Sequence, residues 1–242
     1  MRYGIFSDIH SNLEALSAVL DAYSSESIGQ YLCVGDVVGY GANPAECISK
    51  INNPSIITVA GNHDWAACDS IKLHSFNQDA KYAALWTKQT LDEEGKNFLK
   101  GLSPFYKNSD LTIVHGTLDS PRNFDYLTDN YGAWRIFKVM ETDVCFVGHT
   151  HVAGTFVKFG STEILYIDDK TIRFEEGKKY IVNVGSVGQP RDSDPRASYC
   201  IYDTQKNTLE IKRVAYDVEA AAQKIIDAGL PGFLAERLKT GI

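Results

Sequence analysis

Short motifs containing Asp, Asn and His recur along this sequence. They are Asp8-Ile9-His10, Gly35-Asp36, Gly61-Asn62-His63-Asp64, His115-Gly116 and Gly148-His149-Thr150-His151. Five of the six histidines of the chain lie in these motifs. In extended backbone, residues two apart point to the same side, so each His or Asp pair of this spacing could face one ligand. Because the set contains no Cys, it suits Mn²⁺, Fe or Zn²⁺ rather than a closed thiolate site.

Each motif alone also fits a turn, a helix cap or a solvent-exposed side chain. Unrelated turns, however, would not be expected to carry carboxylate, amide and imidazole groups after one strand and then the next. Taken together, the motifs predict a metal centre.

Predicted strands precede every one of these motifs. They cover residues 3–6, 31–34, 55–60, 111–114 and 143–147, with predicted helices from Ser11, over 44–51, 77–89 and 91–100. Capping boxes are predicted for Ser11 with Glu14 and for Thr90 with Glu93. In open α/β sheets, ligands bind at the carboxyl ends of strands, so the motifs should meet there.

The second half of the chain changes to a period of two. Strands are predicted over 155–159, 163–167, 171–175, 180–184, 198–203 and 208–215, followed by helices over 217–228 and 231–240. This half has no helical layer of its own. We therefore expect one domain over residues 1–242, of α/β class, with antiparallel strands in its second half.

In this order, the motifs DxH, GDxxGYG, GNHD, VHG and GHTH resemble the signature of the calcineurin-like metallophosphoesterase superfamily. The resemblance runs from Asp8 to about Arg196, and residues 35–44 and 183–196 look closest to its small bacterial and archaeal phosphodiesterase branch. The family implies a four-layer α/β/β/α sandwich of two mixed sheets.

The resemblance also implies a dinuclear centre whose ligands are taken from the motifs. One cation would be held by Asp8, His10, Asp36 and His151, and the other by Asp36, Asn62, His115 and His149. Asp36 would then bridge two divalent ions, either Mn, Fe, Zn or Ni. The ligand types do not choose among these metals.

In such a centre, hydroxide bridging the metals would attack phosphorus. His63 would stabilise charge or act as general acid, while Asp64 could either orient that imidazole or cap the next turn. Arg122, Arg191 and Arg196 could bind substrate phosphate, or could be solvated surface residues.

Three functions remain open at this point. The first is hydrolysis of small or nucleotide phosphodiesters. The second is a phosphomonoesterase, protein phosphatase or dinucleoside-polyphosphate hydrolase, although such family members typically read GDxxDRG where this chain reads Gly-Asp-Val-Val-Gly-Tyr-Gly from Gly35. The third is a non-catalytic scaffold, such as the retromer subunit that has this fold. Such scaffolds usually lack the histidine of the GNHD motif, which is present here as His63.

Composition limits the partners. A net charge of −7 and a pI near 5.4 argue against nonspecific nucleic-acid binding, which needs clustered Lys and Arg. No stretch approaches the roughly 20 apolar residues of a membrane span, and the N-terminus does not resemble a signal peptide. The five cysteines lack CxxC spacing, so we expect a cytoplasmic protein. The resemblance implies that it acts on a small phosphorylated substrate. The sequence leaves the substrate and the oligomeric state open.

Overall fold

The computed structural model describes residues 1–160 and 163–242, which form two six-stranded sheets. The first sheet contains β1 (Arg2–Phe6), β2 (Gln30–Cys33), β3 (Ile56–Thr58), β9 (Thr171–Arg173), β11 (Ala197–Asp203) and β12 (Thr208–Val214), in the spatial order β3-β2-β1-β11-β12-β9. The second contains β4 (Phe105–Lys107), β5 (Thr112–Val114), β6 (Val144–Val147), β7 (Gly154–Phe159), β8 (Glu163–Ile167) and β10 (Lys179–Asn183), in the order β4-β5-β6-β10-β7-β8.

Both sheets are mixed. Strands β1, β2 and β3 run parallel, as do β5, β6 and β10, and the remaining pairs are antiparallel. Helices α1 (Leu13–Tyr23) and α2 (Pro44–Ile51) connect the three parallel strands of the first sheet. Parallel strands end at one edge of their sheet, so the loops after them are brought together.

The two sheets pack face to face over a common core. Ile5 and Leu32 of the first sheet and Phe146 and Val182 of the second are fully buried in this core. Apolar residues of α1 and α2 cover the other face of the first sheet. Helix α6 (Asn130–Val139) covers the other face of the second sheet. The expected four-layer α/β/β/α sandwich is therefore confirmed, and its shared core supports our proposal of one domain over residues 1–242.

The remaining helices are α3 (Asn62–Ala67), α4 (Gln78–Thr90), α5 (Glu93–Gly101), α7 (Val218–Asp227) and α8 (Gly232–Thr240), with a 3₁₀ turn at Leu73–Ser75. Helices α3 and α6 and strand β4 were not predicted from the sequence. Helix α3 has only six residues and begins inside the GNHD motif, whereas α6 carries an Asp129 cap and a buried stripe that could have revealed it. Among the described residues, no helix has both the length and the apolar surface that crossing a bilayer requires.

Both predicted capping boxes are wrong by one or two residues. Helix α1 is capped by Asn12, whose side chain accepts from Ala15 N at 3.0 Å, and not by Ser11. Ser11 instead donates its own N–H to Val37 O at 3.0 Å. This bond joins Ser11 to the neighbouring loop, and the helix begins only after it, at Leu13. Helix α5 is capped by Asp92 rather than Thr90, because α4 continues through Thr90.

Candidate metal centre

The motif residues occupy the loops that follow the parallel strands of both sheets. Asp8 and His10 follow β1, Asp36 follows β2, and Asn62 begins α3 shortly after β3. From the second sheet, His115 follows β5, and His149 and His151 follow β6. The two sheets thus contribute side chains to one place at their common edge.

Five of these residues share an unusual backbone conformation. Asp8, His10, Asp36, His149 and His151 have φ values of 54°, 50°, 51°, 67° and 62°. This left-handed region is uncommon for residues other than Gly, although Asp and His adopt it more readily than most. Such conformations cost on the order of 1–3 kcal/mol each and cluster at functional sites.

One group of ligand atoms is formed by Asp8, His10 and His151. His151 Nε2 lies 3.1 Å from Asp8 Oδ1, and His10 Nε2 lies 3.7 Å from the same oxygen. The two imidazole nitrogens face each other at 3.1 Å. All three side chains are buried, so a cation between them would be shielded from bulk water.

A second group is formed by Asp36, His115 and His149. His115 Nε2 lies 3.1 Å from Asp36 Oδ2 and 3.2 Å from His149 Nδ1. These atoms also lie close enough together to bind a metal ion.

Asp36 joins the two groups. Its Oδ2 lies 3.1 Å from His115 Nε2 in one group and 3.6 Å from His10 Nε2 in the other. Its Oδ1 accepts the N–H of His63 at 2.8 Å. One oxygen therefore fixes the carboxylate while the other faces both sets of imidazoles.

Main-chain carbonyl groups fix the tautomers of three of these imidazoles. Nδ1 of His10 faces Val38 O at 3.1 Å, Nδ1 of His115 faces Val34 O at 2.9 Å, and Nδ1 of His151 faces Gln189 O at 2.6 Å. A carbonyl oxygen can only accept, so each Nδ1 carries the proton. When these imidazoles are neutral, each Nε2 presents its lone pair to the centre, as metal-ligating histidines do.

One buried oxygen atom in the centre lacks a donor. Among the described residues, Asn62 Oδ1 has no hydrogen-bond partner. A buried acceptor without a partner is costly, and a cation would satisfy it. The oxygen and nitrogen donor set therefore fits divalent metal ions.

The electrostatics of the carboxylates agree with this fit. Burial raises the pKa of Asp8, but the neighbouring His151 and His115 outweigh it and hold that pKa well below its usual value. Burial likewise opposes ionisation of Asp36, and the neighbouring imidazoles of His115 and His63 outweigh it and hold the pKa of Asp36 below its usual value. Both groups are therefore carboxylates at neutral pH.

The histidines differ in charge. Burial, together with the nearby charge of His115, lowers the pKa of His149 to about 3. Burial is also the main reason why the pKa of His151 falls to about 4. For His115, burial lowers the pKa, but Asp36 and Asp8 together raise it to about 9. His149 and His151 are therefore neutral, while His115 holds a proton at the position that a cation would take.

His63 and Asp64 occupy different environments. The His63 ring lies 4.4 Å from that of Tyr40 and 4.9 Å from that of His10, beside the centre. Burial holds its pKa well below the usual value. The Asp64 carboxylate accepts the N–H groups of Gly61 and Val38, at 2.9 and 3.1 Å. Of the two readings of Asp64, these contacts favour the cap, which joins two motif loops.

The three arginines named from the sequence lie in different settings. Arg191 has its guanidinium carbon 5.8 Å from the centre of the Tyr40 ring, and its charge contributes to lowering the pKa of His151. Arg196 instead forms two hydrogen bonds with Asp194, so its guanidinium is already engaged. Arg122 lies 5.2 Å over the Trp65 ring of α3. Only Arg191 is brought to the centre by these contacts.

Two residues beside the centre were not predicted from the sequence. Tyr126 stacks on His149 with ring centres 3.9 Å apart, although no motif contains it. Asn183 donates to Gly148 O and Thr150 Oγ1, at 2.7 and 2.8 Å, and so holds the GHTH loop. Asn183 lies next to the end of the strand predicted over 180–184, which was an available signal, whereas nothing in the sequence distinguishes Tyr126 from other loop tyrosines.

Comparison with known proteins gives one consistent picture. Residues 1–207 match the family model described as the calcineurin-like phosphoesterase superfamily domain. An uncharacterized protein of Methanocaldococcus jannaschii is 40% identical over 241 residues, which cover 98% of this chain and 97% of that protein.

Two solved structures extend the match to the fold. A metallophosphoesterase from Sphaerobacter thermophilus superposes with a TM-score of 0.85 and 36% identity, covering 100% of this chain and 99% of that one. A hypothetical protein from Pyrococcus horikoshii shares the fold, with a TM-score of 0.81 at 18% identity and coverage of 100% and 98%.

Proposed function

Because the chain belongs to the calcineurin-like phosphoesterase superfamily, we propose that it is a phosphodiesterase that hydrolyses small or nucleotide phosphodiesters with the help of two divalent cations. The observation that carries the proposal is the position of Asp36 Oδ2, which faces His10 in one group of ligands and His115 in the other. A carboxylate shared in this way is the expected centre of a two-metal site.

The ligand assignment follows the two groups. Asp8, His10 and His151 would hold one cation, Asn62, His115 and His149 would hold the other, and Asp36 would contact both. When bound, two such cations make water a nucleophile near neutral pH and offset the charge on the phosphoryl oxygens. We propose Mn²⁺ as the first metal to test, with Fe, Zn and Ni as alternatives.

Other side chains would act on the substrate directly. His63 lies against the ring of His10, and its neutral imidazole would donate a hydrogen bond to a phosphoryl or leaving oxygen. Arg191 would bind a phosphoryl oxygen, because a guanidinium offers two parallel N–H groups in a fixed geometry. Arg122 stays a prediction, and the ion pair of Arg196 with Asp194 argues against a role in binding.

The test is hydrolysis of bis(p-nitrophenyl) phosphate and of p-nitrophenyl phosphate by purified protein loaded with Mn²⁺, Fe²⁺, Zn²⁺, Ni²⁺ or Mg²⁺. We expect a higher kcat/KM for the diester and two metal ions per chain by elemental analysis. Preference for the monoester would support the phosphomonoesterase alternative. Absence of turnover with every metal would remove the hydrolase proposal.

Two variants complete this test. Asp36→Asn should lose both metal and activity, because it removes the shared carboxylate. His63→Ala should keep its metal content and lose kcat by about 10²–10⁴-fold, the usual contribution of a positioned acid or base. Unchanged activity in His63→Ala would deny His63 a catalytic role, whereas absence of turnover in the wild-type protein would favour the scaffold alternative.

The proposed location is the cytoplasm. All five cysteines are free thiols, and four of them are buried. Burial raises the pKa of Cys33, Cys47 and Cys200 above the usual value, so these thiols are unreactive packing residues. Cysteines that remain free thiols are typical of proteins in a reducing compartment.

A further inference from the structure

A cleft opens directly beside the candidate metal centre. It has a volume of about 210 Å³, and three of the residues that line it, Asn62, His63 and His149, belong to the centre. Its other walls include four aromatic side chains, namely Tyr40, Phe76, Phe124 and Tyr126. A group esterified to a phosphate in the centre would therefore lie between aromatic rings.

The rings of this cleft are held in place by contacts with the centre. Phe76 packs edge-on against His63 with ring centres 4.8 Å apart. Tyr126 is parallel to His149 at 3.9 Å, and 57% of its surface is nevertheless exposed. Aromatic rings held in this way form a preorganised stacking surface, which binds a planar group with little loss of side-chain freedom.

The polar lining of the cleft is neutral. Its side-chain amides are those of Asn62, Asn77 and Asn123, of which Asn77 and Asn123 are exposed. Asn77 uses its oxygen to accept Ala80 N at 2.9 Å, and its NH₂ group remains available as a donor. Among the described residues that line the cleft, none is Lys, Arg, Asp or Glu.

These features restrict the occupant. A second phosphate would need cationic partners, and the cleft has none among its described lining residues. The volume lies below the roughly 300–1,000 Å³ of sites for drug-sized ligands, so it suits one planar ring system rather than a folded peptide. Aromatic faces combined with amide edges are the groups that bind nucleobases, by stacking and by hydrogen bonds to the base edge.

We propose that this cleft binds the nucleoside part of a nucleotide ester, with the base stacked on Tyr126 and Phe76 and the amides of Asn77 and Asn123 at its edge. The proposal rests on the proposed function, since it places the phosphate of the same substrate at the metal centre. It narrows the substrate class from small phosphate esters to nucleotide esters.

The test measures binding of adenosine and of ribose to the Mn²⁺-loaded protein by isothermal titration calorimetry. Neither probe contains phosphate, so the measurement does not depend on turnover. We expect adenosine to bind at least about tenfold more tightly than ribose, because one base–aromatic stack accounts for a difference of that order.

Substitutions of the cleft residues test whether adenosine binds in the cleft. Tyr126→Leu and Phe76→Leu should each weaken adenosine binding by about tenfold, whereas Tyr126→Phe should retain it. Tyr131→Leu is the matched control, because Tyr131 is 67% exposed on α6 and does not line the cleft. Its affinity for adenosine should match that of the wild-type protein.

Equal affinity for adenosine and ribose, or an equal loss in Tyr131→Leu and Tyr126→Leu, would overturn the proposal. Phosphodiester hydrolysis without adenosine preference would reject the cleft and leave the proposed function standing. Adenosine binding that follows the variants, in a protein that hydrolyses no phosphate ester, would reject the function and keep the cleft.

Discussion

At the scale of single residues, the two carboxylate oxygens of Asp36 make different contacts. Oδ1 accepts the N–H of His63, which fixes the first turn of α3, and Oδ2 faces the imidazoles. This arrangement requires that nothing crowd the carboxylate from the side of Gly61. An ideal Cβ on Gly61 would stand 2.0 Å from Asp36 Oδ1.

Gly61→Ala should therefore damage the centre without changing the backbone preference. The φ of Gly61 is −99°, which alanine adopts freely, so the effect is purely steric. We expect the variant to bind at most one metal ion per chain by elemental analysis and to lose at least about 10²-fold in kcat, since misplacement by 1 Å has that effect.

The matched control is Gly101→Ala at the end of α5. An added Cβ there meets nothing within 4 Å. This variant should keep full activity and gain up to about 0.5–1 kcal/mol in free energy of unfolding, the usual difference between Ala and Gly in a helix. Full metal content in Gly61→Ala would show that Asp36 can move and still serve the site.

Asp64 carries a second prediction at this scale. Burial, reinforced by the charge of Asp36, raises the pKa of Asp64 to about 7, yet the carboxyl group accepts two main-chain N–H groups. Asp64→Ala should lower the free energy of unfolding by about 1–3 kcal/mol in urea titrations, because both donors lose their acceptor. Asp64→Asn keeps one acceptor oxygen and should lose less. Unchanged stability with a large drop in kcat would instead support the role of orienting His63.

At the scale of elements, the hydroxyl group of Tyr23 joins helix α1 to the first sheet. Tyr23 Oη lies 3.0 Å from Ile5 O and 3.0 Å from Cys200 O, on the adjacent strands β1 and β11. Burial keeps the pKa of Tyr23 well above its usual value, so the hydroxyl remains a donor. The loop after β1, which carries Asp8 and His10, is thereby held between a sheet and a fixed helix.

Tyr23→Phe should lower the free energy of unfolding by about 1–2 kcal/mol, measured by urea titration, because buried carbonyl groups lose a donor. Tyr31→Phe is the control: its ring lies 5.5 Å from that of Tyr23, and no described residue is hydrogen-bonded to its hydroxyl. Its change should stay within about 0.5 kcal/mol. A similar loss in both variants would mean that packing, and not the hydrogen bond, stabilises α1.

Sequence patterns located most elements, and their errors have identifiable causes. The predicted strands and the start of α2 at Pro44 were located correctly because apolar periodicity and Pro at the first turn are local signals. The caps at Ser11 and Thr90 were misplaced because tertiary contacts chose between adjacent residues able to cap. Helix α3 was missed because its first turn is fixed by Asp36, a residue distant in sequence that accepts the N–H of His63.

At the scale of the whole molecule, the candidate ligands come from both sheets. Asp8, His10 and Asp36 belong to loops of the first sheet, and His115, His149 and His151 to loops of the second. Bound cations would join the two layers at one edge, in addition to the apolar core between them. The motif order predicted this convergence, but only the strand order shows that two separate sheets supply it.

Removal of metal should therefore destabilise both sheets together. With free metal at 100 times its Kd, binding contributes about 2.7 kcal/mol, which is roughly 5–10 °C in Tm for a chain of this size. We expect EDTA to lower Tm by that amount, with near- and far-UV circular dichroism melting together. The Asp36→Asn variant should show little response to EDTA. Two separate transitions would contradict the proposal of one domain.

The proton positions of the imidazoles have an evolutionary consequence. Their acceptors are the carbonyl groups of Val34, Val38 and Gln189, which are present whatever side chain those positions carry. Relatives can therefore carry other side chains at these positions without losing the acceptors that orient the rings. Only an insertion or deletion in these loops, which changes the path of the main chain, would remove the acceptors and alter the hydrogen bonds of the histidines.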